Sequence, residues 1–90
     1  MITLSTRTSL VNCDAVVAGD QYPYLHIHTH ELSRIDADRI FDDPAETDMI
    51  TAFDAETSET QVYTGYTSLY SVQKSPFIPG DLLIWLTKEV

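Results

Sequence analysis

Alternating apolar and polar positions predict that most of the first third of the chain is β-strand. Ile2 and Leu4 alternate with polar neighbours, and Leu25 and Ile27 do so further along. Such alternation puts apolar side chains on one face of a strand and polar side chains on the other. We interpret Leu10–Val11 as an extension of the first strand.

One amphipathic helix is predicted to begin at Ser33. A serine three positions before Asp36 is a variant of the capping box, which satisfies free N–H groups at a helix start. Asp43 and Pro44 end the helix, because the residue before a proline avoids the helical region. The same pair is suited to begin one further turn. The predicted apolar stripe of the helix consists of Leu32, Ile35, Ile40 and Phe41.

The last third of the chain returns to strands. Met49–Phe53 and Leu82–Leu86 are apolar runs of strand length, and Val62–Val72 is predicted as one long strand interrupted at Gly65. An unbroken apolar run such as Leu82–Leu86 is typical of a central strand that is covered on both faces. We therefore expect Ile84 to be fully buried.

These elements predict a single α+β domain that spans residues 1–90. Consecutive strands with short connections pair antiparallel, and one helix covers a face of the sheet. The expected architecture is a small antiparallel, strongly curved sheet or open barrel of about five to seven strands, with one short helix near residues 33–43.

The balance of acidic and basic residues limits the kinds of partner that the chain can bind. Fourteen acidic residues oppose five basic ones, which gives a net charge of −9. A chain with this charge has no basic face for nucleic-acid phosphates, so we expect no direct nucleic-acid binding. Ten of the acidic residues lie between Glu31 and Glu59, where Arg34 and Arg39 are the only bases.

This acidic segment is our first candidate for a partner-binding surface. No glycine occurs between Gly19 and Gly65, which excludes an EF-hand calcium loop. Two interpretations stay open, a solvated helix face and a docking surface for a basic protein. The expected contact residues are Asp36, Asp38, Asp42, Asp43, Glu46 and Asp48.

Three histidines alternate along one predicted strand, at His26, His28 and His30. Two histidines at this spacing share a face and can bind one metal ion, but a third ligand has to come from another strand. The spacing of the following Glu31 does not fit the cupin metal enzymes, which also use a His-x-His strand. A polar sheet face is the alternative interpretation, and we expect no metal or other cofactor.

The remaining candidates are one thiol and three tyrosines. Cys13 is the only cysteine, so an internal disulfide is excluded, and we expect it to be a small, half-buried apolar side chain rather than a nucleophile. Tyr63, Tyr66 and Tyr70 form either a second-choice recognition surface or cross-strand pairs within a sheet.

Three segments carry a resemblance to a group of phage proteins. They are Ile40–Thr47, Val62–Leu69 and Gly80–Leu86, and the likeness spans about residues 25–88. In its pattern of strands and turns the chain resembles small uncharacterised proteins of tailed phages and prophages of gut Firmicutes. The resemblance implies an accessory protein of a phage, of the kind that inhibits host defence or forms part of the virion.

Three functions are compatible with the sequence. The first is a non-enzymatic inhibitor that binds a basic host protein, such as a nucleic-acid-binding defence effector, in the bacterial cytosol, as anti-CRISPR proteins do. The second is a tail or baseplate component of the virion that forms homo-oligomers through edge strands. The third is a metal-dependent enzyme that uses the histidine strand. The clustering of acidic residues favours the inhibitor over the virion component, because copies of a self-assembling protein repel one another where like charges are concentrated.

Overall fold

The computed structural model describes residues 1–19, 24–67, 69–76 and 78–88, and these residues form an α+β fold. Two antiparallel sheets of four strands are present, with strand orders β2-β1-β5-β6 and β3-β4-β8-β7. The predicted α+β class is confirmed. The elements are β1 (Ile2–Ser5), β2 (Leu10–Cys13), β3 (Ala15–Ala18), β4 (Tyr24–Thr29), α1 (Arg34–Phe41), α2 (Pro44–Thr47), β5 (Met49–Asp54), β6 (Glu59–Thr64), β7 (Leu69–Lys74) and β8 (Leu82–Thr87).

The core lies between the inner faces of the two sheets. Leu4 and Ile50 project from the first sheet, and Leu25, Ile27 and Ile84 project from the second, all with 0% exposure. Alternation along each strand places these apolar side chains on one face, so the two sheets share a single core. Helix α1 packs against β7 and β8, and α2 packs against β5.

The architecture predicted from the sequence is wrong in its number of sheets and strands. One curved sheet or open barrel of about five to seven strands was expected, and the described residues form eight strands in two sheets. Leu10–Val11 does not extend β1. The chain turns at Thr6 and Ser9, joined by a backbone hydrogen bond of 2.9 Å, and β2 returns antiparallel to β1.

The long strand expected at Val62–Val72 is also two strands, and they belong to different sheets. β6 pairs with β5 in the first sheet, whereas β7 pairs with β8 in the second. Gly65 marks the break, because its φ of 81° lies in a region that disfavours side chains. The backbone N–H of Gly65 donates to the carbonyl of Asp48 at 3.1 Å.

The helix prediction near residues 33–43 is confirmed by α1, but its apolar stripe is partly wrong. Ala37, Ile40 and Phe41 are buried, whereas Ile35 is 80% exposed. Ile35 lies five positions before Ile40, which is about 140° around the helix and therefore on a different face. No helix in the described ranges is long and apolar enough to span a membrane.

The outer face of the first sheet is uncharged at every position that the strand register assigns to it. Its apolar members are strongly exposed, with Leu10 at 75% and Val62 at 60%. Most of the others are threonine or serine. We call this surface the neutral face, and it consists of Thr3, Ser5, Leu10, Asn12, Met49, Thr51, Phe53, Thr60, Val62 and Thr64.

Cys13 lies in the core, and we expect its thiol to be protected from reagents. It is 1% exposed, and burial together with the negative charge of Asp14 raises its pKa from 9.0 to about 11. Two pKa units correspond to about a hundredfold less thiolate. Native protein at pH 8 should therefore react with iodoacetamide at least about a hundredfold more slowly than protein unfolded in urea. Equal rates would show that the thiol is accessible.

Candidate functional site

Helix α1 presents a carboxylate-bearing face because its other face is anchored in the core. Ser33 caps the helix, and its hydroxyl oxygen accepts a hydrogen bond of 3.1 Å from the backbone N–H of Asp36. The carboxylate of Asp36 accepts a hydrogen bond of 2.8 Å from the Ser33 hydroxyl and lies 3.4 Å from Arg39. Asp36 is therefore already partly neutralised by its own helix.

Asp38 and Asp42 lie four positions apart on the exposed side of α1. Like charges at this spacing repel one another by a few tenths of a kcal/mol. The Tyr70 hydroxyl, on β7, donates a hydrogen bond to Asp38, and the Tyr70 ring lies 6.4 Å from the ring of Phe41. Burial raises the pKa of Tyr70, and the hydrogen bond to Asp38 and the charges of Asp38 and Asp42 raise it further. Tyr70 thus stays a neutral donor that holds Asp38 in place.

Asp43 connects the two helices and is exposed. Its carboxylate accepts a hydrogen bond of 2.9 Å from the backbone N–H of Ala45, and Pro44 occupies the first position of α2. This is the cap expected from the sequence. No lysine or arginine among the described residues forms an ion pair with Asp38, Asp42 or Asp43. We call these three residues the acidic surface.

The other two predicted contact residues, Glu46 and Asp48, are engaged within the fold. Glu46 accepts hydrogen bonds of 2.9 Å from the Thr6 hydroxyl and 3.1 Å from the Thr8 backbone N–H. Asp48 accepts two hydrogen bonds from Arg7, at 3.0 and 2.7 Å. Both carboxylates therefore hold the β1–β2 turn against α2 and are less available to a partner.

The pKa values of these two carboxylates agree with their contacts. Burial by itself would raise the pKa of Glu46, but the hydrogen bonds from Thr8 and Thr6 and the charge of Arg7 lower it overall. The hydrogen bond from Arg7 lowers the pKa of Asp48. Both groups therefore keep their negative charge to a lower pH than the same carboxylates without these contacts.

A second group of acidic side chains lies at the turn between β5 and β6 and was not among the predicted contacts. It consists of Asp54, Glu56 and Glu59, and Asp54 stands directly opposite Glu59 in the strand register. Asp54 accepts a hydrogen bond of 2.9 Å from the backbone N–H of Glu56. Asp54 and Glu59 also line a cavity of about 180 Å³ at the margin of the core. The only sequence signal for this group was its position in the acid-rich segment.

The three histidines make three different sets of contacts. His26 stacks on Trp85 with ring centroids 3.8 Å apart, and its own centroid is 4.5 Å from that of His28. The Nδ1 atom of His28 is 3.7 Å from a carboxylate oxygen of the buried Asp81. The described residues contain no group of three side chains placed to bind a metal ion.

His30 lies beyond the end of β4 and is exposed. Its Nδ1 atom is 3.1 Å from a carboxylate oxygen of Asp14. The hydrogen bond to Asp14 and the charge of Asp14 raise the pKa of His30, whereas burial and the charge of His28 lower the pKa of His26. His26, on β4, and His30, just beyond its end, therefore differ in their tendency to be charged.

The tyrosines of the second-choice interface are divided between the sheets. Tyr63 lies on β6 and packs edge-to-face against Tyr66, with centroids 6.3 Å apart. Tyr70 lies on β7, in the other sheet, where it supports Asp38. All three are partly buried against the core. Tyr63 and Tyr66 therefore contact each other, whereas Tyr70 contacts Phe41 and Asp38.

Comparison of the chain with protein-family models, with curated proteins and with solved structures found no match.

Proposed function

We propose that this chain is a non-enzymatic binding protein whose acidic surface docks onto a basic surface of another protein. The observation that carries the proposal is the arrangement of Asp38, Asp42 and Asp43. These carboxylates are exposed, adjacent and without a cationic partner in the described residues. Repulsion among them is relieved when a lysine- or arginine-rich surface approaches.

The scaffold beneath the acidic surface supports the same proposal. Phe41 and Tyr70 anchor α1 on the second sheet, and the Asp43 cap fixes the path between the helices. Held in this way, the carboxylates lose little conformational freedom when a partner binds, which favours affinity. A surface that is both fixed and negative resembles a stretch of nucleic-acid backbone in its charge, and it suits a groove that normally holds nucleic acid.

The proposed biological role of the chain is that of a phage-encoded inhibitor. It acts on a defence effector in the cytosol of the bacterial host, in the manner of anti-CRISPR proteins. The resemblance of three segments to phage accessory proteins supports this form, together with the acidic surface. The direct experiment is to measure binding of the chain to purified CRISPR effector nucleases, with and without guide RNA. The readouts are the association rate and the inhibition of DNA cleavage.

The first expected outcome concerns neutralisation of the acidic surface. The triple variant Asp38→Asn, Asp42→Asn, Asp43→Asn removes three charges and keeps the oxygens that accept from Tyr70 and from the Ala45 N–H. We expect unchanged thermal stability and an association rate about tenfold lower at low salt. Binding of the parent chain should also weaken between about 50 and 150 mM salt, because exposed charges are screened over roughly 8–10 Å.

The matched control removes the same number of charges from the other acidic group. It combines Asp54→Asn, Glu56→Gln and Glu59→Gln, and it should bind at a rate close to that of the parent chain. If both triple variants lose binding equally, net charge and not the acidic surface is responsible. If no effector is bound or inhibited, the inhibitor proposal is wrong.

A second candidate function, a virion component, is favoured by a different observation. The neutral face is uncharged and carries exposed apolar side chains such as Leu10 and Val62. Such a face suits assembly with an uncharged surface. The two functions are separated by detection of the chain in purified virions, by mass spectrometry, at a constant ratio to the capsid protein.

A further inference from the structure

The neutral face is unusual in a chain with a net charge of −9. A four-stranded sheet presents ten side chains on one surface, and none of them is ionisable. Four apolar members are substantially exposed, Leu10 at 75%, Val62 at 60%, Met49 at 53% and Phe53 at 41%. An uncharged surface that exposes several large apolar side chains is a candidate interaction site.

We propose that the neutral face is the contact between two copies of this chain, which pack face to face as a symmetric dimer. The inference is independent of the acidic surface and of its partner. Two copies that each carry a net charge of −9 repel one another, so a second copy can approach closely only where carboxylates are absent. A basic partner, by contrast, is attracted to the acidic surface and gains no electrostatic advantage at the neutral face.

The arrangement of side chains on the neutral face is self-complementary. The register places Leu10, Ser5, Thr51 and Val62 in one row across the strands, and Asn12, Thr3, Phe53 and Thr60 in the next. A two-fold axis parallel to the strands and centred between β1 and β5 superimposes β2 of one copy on β6 of the other. The facing pairs are then Leu10 with Val62, Phe53 with Thr3, Ser5 with Thr51, and Asn12 with Thr60.

These pairs have the properties of an isologous interface, in which each contact occurs twice. Apolar Leu10 meets apolar Val62 at both margins. The large Phe53 ring faces the smaller Thr3, so bulky and small side chains interdigitate across the contact. Sheets that pack face to face in this way lie about 10 Å apart with strands within about 30° of each other, which the ordinary twist of the sheets allows.

The size of the neutral face sets the expected strength of the dimer. Four strands spaced about 4.8 Å apart, each contributing a few residues at about 3.3 Å per residue, cover on the order of 300 Å² per copy. Two copies together would bury about 600 Å², which is below the roughly 1,000 Å² expected of a stable specific interface. We therefore expect a weak dimer, with a dissociation constant in the micromolar range or above.

The test is sedimentation equilibrium of the whole chain from micromolar to millimolar concentration, at low and high salt. Added salt screens the repulsion between the two negatively charged copies, so the dimer should strengthen as the salt concentration rises. Docking through the acidic surface has the opposite salt dependence. A chain that stays monomeric at millimolar concentration and high salt would contradict the proposal.

Two double variants test whether the contact between the copies lies on the neutral face. Leu10→Glu combined with Val62→Glu sets like charges opposite one another and should weaken association at least about tenfold. The matched control, Ile35→Glu combined with Leu69→Glu, adds the same two charges at exposed apolar positions outside the neutral face and should dimerise with an affinity close to that of the parent chain. Equal loss in both variants would overturn the proposal.

The register is tested by charge complementarity. Leu10→Glu combined with Val62→Lys places opposite charges in the facing pairs and should restore the association that the double glutamate variant loses. The single variant Leu10→Glu distinguishes face-to-face packing from edge-to-edge pairing of β6, since β2 is at the opposite edge of the sheet. Edge pairing through β6 predicts that Leu10→Glu dimerises like the parent chain, and that result would refute the face-to-face arrangement.

Discussion

Replacing Ile84 with alanine should lower the melting temperature of the chain by roughly 10–30 °C. The side chain is fully buried on β8, one of the two central strands of the second sheet. Its neighbours in the register are Ile27 on β4 and Val72 on β7. Hydrogen-bonded strands on both sides restrict relaxation into the cavity, so we expect a loss of about 2–5 kcal/mol in the free energy of unfolding. In a domain of this size each kcal/mol shifts the melting temperature by about 4–8 °C.

The control for this variant is Ile78→Ala, which removes the same atoms from a side chain that is 52% exposed. It should change the free energy of unfolding by less than about 0.5 kcal/mol. Thermal unfolding followed by circular dichroism measures both variants. Similar melting temperatures for the two would mean that β8 is not the centre of the core.

The burial of Ile84 could be predicted because the signal is local. An unbroken apolar run has no polar face to present to water, whatever the rest of the chain does. The helix start at Ser33 could be predicted for a similar reason, since the cap joins residues three positions apart. Elements of this kind are encoded within a few residues.

The division into two sheets could not be predicted, because its causes are distant in sequence or chemically unmarked. The turn between β1 and β2 contains neither glycine nor proline and is closed by contacts between Thr6 and Ser9. Glu46 and the Thr8 backbone, 38 positions apart, hold that turn in place. Gly65 did signal a break, but a single glycine does not tell whether a strand bends or leaves the sheet.

The candidate site could also be predicted only in part, because its contacts join residues that are distant in sequence. Composition located the acid-rich segment, but it could not separate the free carboxylates from those already paired. Asp48 is 41 positions from its partner Arg7, and no local pattern links the two. Among the described residues, Asp38 and Asp42 have no cationic partner because their side of α1 faces solvent, and that depends on which face packs against the sheet. The neutral face was not predicted at all, since it is assembled from four separate strands.

The second large expected effect is the loss of stability when Phe41, which anchors α1, is replaced by alanine. Phe41 is 2% exposed and connects the helix to the second sheet through the ring of Tyr70. Phe41→Ala should lower the free energy of unfolding by about 3–5 kcal/mol, because a buried aromatic side chain leaves a large cavity. It should also loosen the support of Asp38, since Tyr70 holds that carboxylate. Amide hydrogen exchange should accelerate more in α1 than in β4 and β8.

Ile35→Ala on the same helix is the matched control. Ile35 is 80% exposed, and alanine is a better helix former than isoleucine, so the change should be neutral or stabilising by a few tenths of a kcal/mol. Comparison of Phe41→Ala with Ile35→Ala therefore separates the effect of anchoring α1 to the sheet from the effect of helix propensity on stability. If Phe41→Ala unfolds at the same temperature as Ile35→Ala, α1 is not fixed to the second sheet through Phe41. The acidic surface would then lack the rigid support on which its proposed docking depends.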